Sequence, residues 1–273
     1  MATSGKKWFE KSRQIKGVLL DITGVLYNSG HVPTPIPGSI EAVKRLKAEG
    51  IPLRFCTNET QTTRAELVKK LCKLGFELEA NEVFPPAPAM CHILRQRSLR
   101  PHLLVHPALL PDFQEIDQSD PNCVVLGDAA DVFSYENLNK AFQVLISLEK
   151  PVLFSMGGGK YYKENDSLVL DVGCYMKALE FATGVKGEIC GKPDANFFNG
   201  ALADMFVRPE DAIMIGDDIV NDVGGAQACG MMGLQVRTGK FRPSDENHPT
   251  VTPDGYVDNL AEAVDLFLAN RQK

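Results

Sequence analysis

An α/β fold built on a Rossmann-like parallel sheet, with helices on both faces and an inserted α/β cap domain, is what this sequence predicts. Three observations carry the prediction. Short apolar runs alternate with amphipathic helical stretches along the chain, the rhythm of strand–helix–strand units in a parallel sheet. The alternation breaks at Pro85-Pro86-Ala87-Pro88 and then resumes. The chain has 273 residues, more than a typical single domain. That length suits one large domain or a core with an inserted second one; the second reading puts the core over 1–86 and 187–273 and the insertion, a cap, over 87–186.

Val18-Leu19-Leu20 reads as a buried strand that ends at Asp21. Residues 39–49 read as a helix with Ile40, Val43 and Leu46 on one face, stopped by Gly50. Leu53 to Cys56 is a second strand. Thr63-Arg64-Ala65-Glu66 is a capping box, opening a helix that turns Leu67, Leu71 and Leu74 inward and stops at Gly75. The proline-rich stretch reads as a linker. Beyond it, 103–105, 123–126 and 152–154 read as strands. Residues 136–148 read as a helix with Leu138, Phe142, Leu145 and Ile146 inward, and 176–182 as another. The last part reads as a helix over 197–205, a strand over 212–215, a helix over 220–229, a strand over 233–236 and a closing helix over 260–268 whose apolar face suits core packing. Residues 1–16 carry positive charge but no apolar run, and read as a short tail.

A net charge of −6 argues against a nucleic-acid partner, which needs a basic surface. No apolar stretch is long enough to span a membrane. The cysteine count is seven, an odd number, and no CxxC pair occurs. That fits a reducing compartment, read as cytoplasmic with nuclear access compatible.

Four polar stretches each follow an apolar run: Asp21-Ile22-Thr23, Cys56-Thr57-Asn58-Glu59, Gly191-Lys192-Pro193 and Gly216-Asp217-Asp218 with Asn221-Asp222 beyond. In open parallel sheets the carboxyl ends of strands form the ligand crevice, so all four are expected to converge. Their chemistry is complementary. Carboxylates from separate strands suit a hard cation such as Mg²⁺. A Thr hydroxyl and the N–H groups after it suit phosphate oxygens. A Lys offsets the charge of a transferring group, and an Asp can attack phosphorus. Taken singly, each Asp reads as a helix N-cap or turn residue. It is the ordered set that carries the chemistry. Met156-Gly157-Gly158-Gly159-Lys160 lacks the phosphate-loop spacing. It reads as a cap loop that brings Lys160, Tyr161 and Tyr162 towards substrate.

In order and spacing the four stretches resemble the four motifs of the haloacid-dehalogenase superfamily, with the break where one subfamily carries a large α/β cap. The resemblance spans nearly the whole chain. It implies a Mg²⁺-dependent phosphatase with Asp21 as nucleophile and metal ligand. Thr23 would give its main-chain carbonyl to the metal, and Asp217 would be the third protein ligand. Thr57, Asn58 and Glu59 would line the phosphate pocket, and Lys192 would contact phosphate and nucleophile. Asp218 and Asp222 would act from behind, orienting Lys192 or metal-bound water. A homodimer is compatible with a cap of this type.

One position departs from the superfamily. Most of its phosphatases carry a second Asp two residues after the nucleophile, as acid and base, where this chain has Thr23. Losing a positioned general acid costs about 10²–10⁴ in rate, and matters least for a good or pre-protonated leaving group. Thr23 therefore favours P–N and P–O–P bonds, as in phosphohistidine, phospholysine or pyrophosphate, over simple monoesters. Two alternatives stay open: a nucleotide or sugar-phosphate phosphatase on this fold, and a silent phosphoprotein-binding module.

Overall fold

A computed structural model describes residues 8, 15–165 and 167–270. Twelve strands carry the architecture: β1 (Gly17–Leu20), β2 (Leu53–Cys56), β3 (Val83–Phe84), β4 (Pro101–Leu104), β5 (Cys123–Leu126), β6 (Leu153–Ser155), β7 (Tyr161–Glu164), β8 (Ser167–Leu170), β9 (Glu188–Ile189), β10 (Ala212–Gly216), β11 (Met232–Val236) and β12 (Gly255–Val257). The helices are α1 (Ser39–Ala48), α2 (Arg64–Lys73), α3 (Pro86–Gln96), α4 (Tyr135–Ser147), α5 (Val172–Thr183), α6 (Ala195–Met205), the short α7 (Gly225–Ala228) and α8 (Leu260–Asn270).

A six-stranded parallel sheet runs in the order β12-β11-β10-β1-β2-β3. Its central strands β1 and β10 are apolar throughout because both faces are covered, while β2 carries Arg54 and β11 Gln235. Val18, Leu20, Ile213 and Ile215 face one cluster, with Val43 and Leu46 of α1, Leu67 and Leu71 of α2, and Val264 and Phe267 of α8. Leu19, Cys56 and Met214 point the other way, onto Phe198, Ala201 and Leu202 of α6. The apolar face of α8 is thus core.

A second parallel sheet, β9-β6-β5-β4, repeats the arrangement. Cys123, Val125 and Phe154 pack on α3, and Val124, Leu126 and Leu153 pack on α4 and α5. Between β6 and α5 the chain makes an antiparallel hairpin, β7-β8.

Four expectations change. The proline-rich stretch is not a linker but the first turn of α3, with Pro86 and Pro88 at its start. Proline is tolerated there because the first N–H groups of a helix have no partner, and Ala87, Met90, Cys91 and Leu94 give the buried stripe. Ile146 is 55% exposed rather than inward, with Ala141 and Leu145 as the buried residues of α4. Strand β9 pairs with β6, so residues 188–189 belong to the second sheet, although the sequence assigns them to the core; two residues beside Gly187 carry no periodic signal. The tail expected over 1–16 lies largely outside the described residues. Its Trp8 is 2% exposed and belongs to the main core.

Candidate active site

β1 is the topological switch point of the six-stranded sheet. The chain leaves it towards β2 on one side, and β10 returns on the other. Asp21 follows β1, Thr57 follows β2 and Asp217 follows β10, so three of the four stretches meet at the carboxyl ends of adjacent strands. Lys192, from the segment between β9 and α6, completes the group. All four are nearly buried: Asp21 7%, Thr57 3%, Asp217 2% and Lys192 4% exposed. They line one cavity of ≈ 270 Å³ that also receives residues of the cap.

Lys192 is the hub. Its ammonium donates to Asp21 Oδ1 at 2.6 Å and to the carbonyl of Cys56 at 3.0 Å, and lies 2.6 Å from Asp222 Oδ1. An ammonium has three N–H groups; two are hydrogen-bonded, and Asp222 Oδ1 is a close ionic neighbour outside hydrogen-bond geometry. Burial alone would lower its pKa, but Asp21 and Asp222 overcome this and hold it above the usual lysine range. It stays charged.

Asn58 is expected to line the phosphate pocket, and it does line the cavity. Both ends of its amide, however, are committed to Lys192. Asn58 Oδ1 accepts from the Lys192 N–H at 2.8 Å, and Nδ2 donates to the Lys192 carbonyl at 2.8 Å. Asn58 positions the lysine. Asn58→Ala is expected to lower kcat by about 10–100-fold with a small change in KM, read by steady-state kinetics. The Thr57 hydroxyl accepts from the Glu59 N–H at 3.0 Å, leaving its own proton for the cavity. Glu59 Oε1 accepts from the Gln61 N–H at 2.7 Å.

The metal question rests on the carboxylates. Asp21, Asp217 and Asp222 bring oxygens within 4.8 Å of one another. Asp217 Oδ2 is wedged between Gly24 and Gly239, where a Cβ would lie 2.0 Å and 1.9 Å away, and accepts from the Lys240 N–H at 2.8 Å. Both glycines also have positive φ, +92° and +61°, so side chains are doubly excluded there. Asp217 Oδ1 is buried and has no hydrogen-bond partner among the described residues. Burial, and then Asp21 and Asp222, push the Asp217 carboxyl well above its ordinary range. Burial and Asp21 likewise push Asp222 up to about 7. Buried carboxylates this close need a cation beyond the one lysine, so the residues present fit a divalent ion with oxygen ligands. Asp222 Oδ2 accepts from the Asp218 N–H at 3.0 Å and its Oδ1 faces Lys192, which suits the orienting part expected of it.

Asp218 lines the same cavity but is not one of the three clustered carboxylates. It caps the next helix, whose first six residues (Ile219–Gly224) wind as a π-helix, by accepting from the N–H groups of Val220 and Asn221. It also pairs with Lys240 Nζ at 3.0 Å. Burial would raise its pKa, but Lys240 wins and holds it at about 2. Asp218→Asn keeps the cap but strands the Lys240 charge, and is expected to destabilise the protein by about 2–3 kcal/mol, read by urea unfolding. The folded pKa is depressed, so the contribution is present above about pH 4, the unfolded carboxyl's range. It is lost only as pH falls through about 2.

Thr23 lies in the cavity beside Asp21. Its hydroxyl is 3.3 Å from the phenol of Tyr27, which also accepts from Lys70 Nζ at 2.8 Å. Of the cap loop, Tyr162 lines the cavity, whereas Lys160 and Tyr161 line a smaller neighbouring one. The sequence reading missed Lys240, Gln61, Asp128 and Asp171. Lys240 was within reach, since it follows β11, another strand of the same sheet, so the strand-end rule applies to it as it does to Asp217.

The chain is similar to known proteins. Residues 18–128 match a family described as haloacid dehalogenase-like hydrolase, and residues 189–263 match a second, HAD-hydrolase-like description. A Danio rerio protein named phospholysine phosphohistidine inorganic pyrophosphate phosphatase is 60% identical over 272 residues, covering 99% of this chain and 100% of its own. The Homo sapiens protein of that name is 60% identical over 267 residues, covering 97% and 99%. The crystal structure of a 4-nitrophenylphosphatase from Thermotoga maritima superposes with a TM-score of 0.83 at 26% identity, covering 94% of this chain and 99% of its own. Because the relatedness runs from end to end and both family matches fall on the segments that build the cavity, the chain belongs to the haloacid dehalogenase-like hydrolases.

Proposed function

We propose that this protein is a Mg²⁺-dependent phosphatase that cleaves P–N and P–O–P bonds through an aspartyl-phosphate on Asp21. The observation that carries the reading is the buried ammonium of Lys192 bonded to Asp21 beside the unpartnered Asp217 oxygen. A nucleophile bonded to a fixed cation, beside carboxylate oxygens suited to a second one, is what attack on an anionic phosphoryl group requires. The names of the relatives at about 60% identity point to the same substrates.

Asp21, Asp217 and the Thr23 carbonyl would hold Mg²⁺, which when bound supplies positive charge to the phosphoryl oxygens and to Asp21. The protein's own groups do the rest. Asp21 attacks phosphorus in line with the departing group. Thr57 donates to a phosphoryl oxygen. Lys192 turns its remaining N–H to reach another, and Asn58 keeps it in place meanwhile. The phosphorus–nitrogen or phosphorus–oxygen bond breaks, with the electron pair going to the leaving atom, and water then cleaves the acyl phosphate. A homodimer and cytoplasmic residence with nuclear access belong to the same reading; light scattering tests the first.

The test is phosphate release with Mg²⁺ from pyrophosphate, a phosphohistidine peptide and an aryl monoester. The reading expects the first two to be the better substrates. A higher kcat/KM on the monoester would favour a general monoesterase, a reading that the 4-nitrophenylphosphatase likeness supports. No release from any substrate would favour a binding module. Thr23→Asp is expected to raise monoester turnover by about 10²-fold or more while changing P–N turnover by less than about tenfold. An equal change on both would sink the leaving-group argument.

A further inference from the structure

Lys70 is a cation on the cavity wall with no part in the phosphoryl transfer described so far. It reaches the cavity from α2. Unlike Lys192 and Lys240, it forms no ion pair among the described residues. Its Nζ donates instead to a neutral partner, the phenol oxygen of Tyr27, at 2.8 Å. Glu59 is near enough for its carboxyl to feel the Lys70 charge, but Glu59 Oε1 is taken by the Gln61 N–H.

Tyr27 is fully buried, with its ring in the main core. Its carbonyl accepts from the Gly24 N–H at 2.8 Å, which closes the loop that follows β1. The phenol oxygen is therefore fixed between Lys70 Nζ on one side and Thr23 Oγ1, 3.3 Å away, on the other. Three polar groups in a row run from an ammonium without a carboxylate partner to the Thr23 hydroxyl in the cavity.

Valence sets the direction of this row. An ammonium only donates, so Lys70 occupies a lone pair of the phenol oxygen. The buried phenol proton needs an acceptor. Two hydroxyls at this distance can bond in either sense, and Thr23 Oγ1 is the acceptor within reach. With the Tyr27 proton on that oxygen, the Thr23 proton is left for the cavity. A charge at the head of such a row strengthens each donor along it.

We propose that Thr23 donates a hydrogen bond to the departing atom, and that Lys70 is a positioning residue that acts on Thr23 through Tyr27; the proposal rests on the phosphatase reading. In that reading Thr57, Lys192 and the ion engage the phosphoryl oxygens. The leaving group then lies against the rest of the lining, which includes Thr23 and Lys70. The Asp21 oxygen–phosphorus bond forms, the bond from phosphorus to the leaving atom breaks, and the electron pair moves onto the leaving atom. The Thr23 O–H meets that growing charge. Its proton stays on Thr23, and the leaving atom takes its own from water.

The test is a double-mutant cycle on aryl phosphates graded in leaving-group basicity, with Mg²⁺. The variants are Lys70→Met, Tyr27→Phe, Thr23→Val and the pair Lys70→Met with Thr23→Val. Val keeps the shape of Thr23 and its main-chain carbonyl, and Phe keeps the ring of Tyr27. Circular dichroism and Tm check the fold; if Tyr27→Phe fails it, the Lys70 and Thr23 variants carry the cycle. The readout is kcat/KM, which covers the step that expels the leaving group. Each single variant is expected to lose about tenfold on phenyl phosphate and less than about threefold on 4-nitrophenyl phosphate, whose leaving group needs less help. The dependence on basicity therefore steepens. Lys70→Arg keeps a charged donor and is expected to keep the wild-type slope. The pair is expected to lose no more than Thr23→Val alone, because Lys70 acts through that hydroxyl. Losses equal across the series, or losses that add in the pair, would overturn the proposal and leave the phosphatase reading standing. A wild type that releases phosphate from none of the series would overturn the phosphatase reading and the proposal with it.

Discussion

Asp21→Asn is expected to lower phosphate release from every substrate by about 10⁴-fold or more, the size of effect seen when a nucleophile is removed. The amide is the right shape, and it can still accept a hydrogen bond from Lys192, whose ammonium also keeps Asp222 at 2.6 Å. The fold should therefore survive, with Tm within a few degrees of wild type. What the amide lacks is a nucleophilic oxygen carrying negative charge. Its second deficit is as a metal ligand, which separates from the first by titration. Saturating Mg²⁺ would restore activity lost through weaker metal binding, and it is expected to restore none. Steady-state assays across a Mg²⁺ series, with Tm measured alongside, check both points.

The second large effect concerns Asp217, and it has two halves of opposite sign. Without metal, Asp217 is a buried carboxylate with one oxygen unpartnered and two other carboxylates close by. Removing that charge relieves a cost. Asp217→Asn is expected to raise the stability of the metal-free protein by about 1–3 kcal/mol. The same change removes a charged ligand, so the apparent Kd for Mg²⁺ should rise by at least about 100-fold and turnover at millimolar Mg²⁺ should collapse. Wild type at about 100 times its Kd should gain about 2.7 kcal/mol from the ion, and the variant almost none at the same concentration. Thermal unfolding with chelator and with Mg²⁺ reads both halves in one experiment. A variant less stable than wild type in chelator would mean that Asp217 holds the fold and not an ion.

Much of this was legible in the sequence, for a physical reason. A strand covered on both faces is mostly apolar, so the polar residue that ends such a run announces a strand end. Asp21, Thr57 and Asp217 were read in this way and stand at the ends of β1, β2 and β10. What the sequence hid comes from three causes. Pro86 and Pro88 suggested a break because proline stops helices, yet at a helix start it is harmless, and the stripe from Ala87 to Leu94 is the better signal. Asn58 was legible as a pocket residue, but side-chain direction is invisible in sequence, so the turn of its amide to the Lys192 backbone was not. Asp128 and Asp171 follow strands of the second sheet or the hairpin, and their nearness to Glu59 depends on how the cap lies over the core, which no local pattern encodes. The Thr60–Asp128 and Gln61–Asp128 bonds join segments 67–68 residues apart.

The central claim is that phosphate passes through the carboxylate of Asp21, and trapping it there tests the claim most directly. Protein turning over pyrophosphate with Mg²⁺ would be quenched with borohydride, which reduces an acyl phosphate to an alcohol, and its peptides would be mapped by mass spectrometry. The account predicts Asp21 reduced to homoserine in wild type, only when substrate and metal are both present, and at no other carboxylate. Steady turnover with Asp21 left intact, or reduction at a different carboxylate, would contradict it.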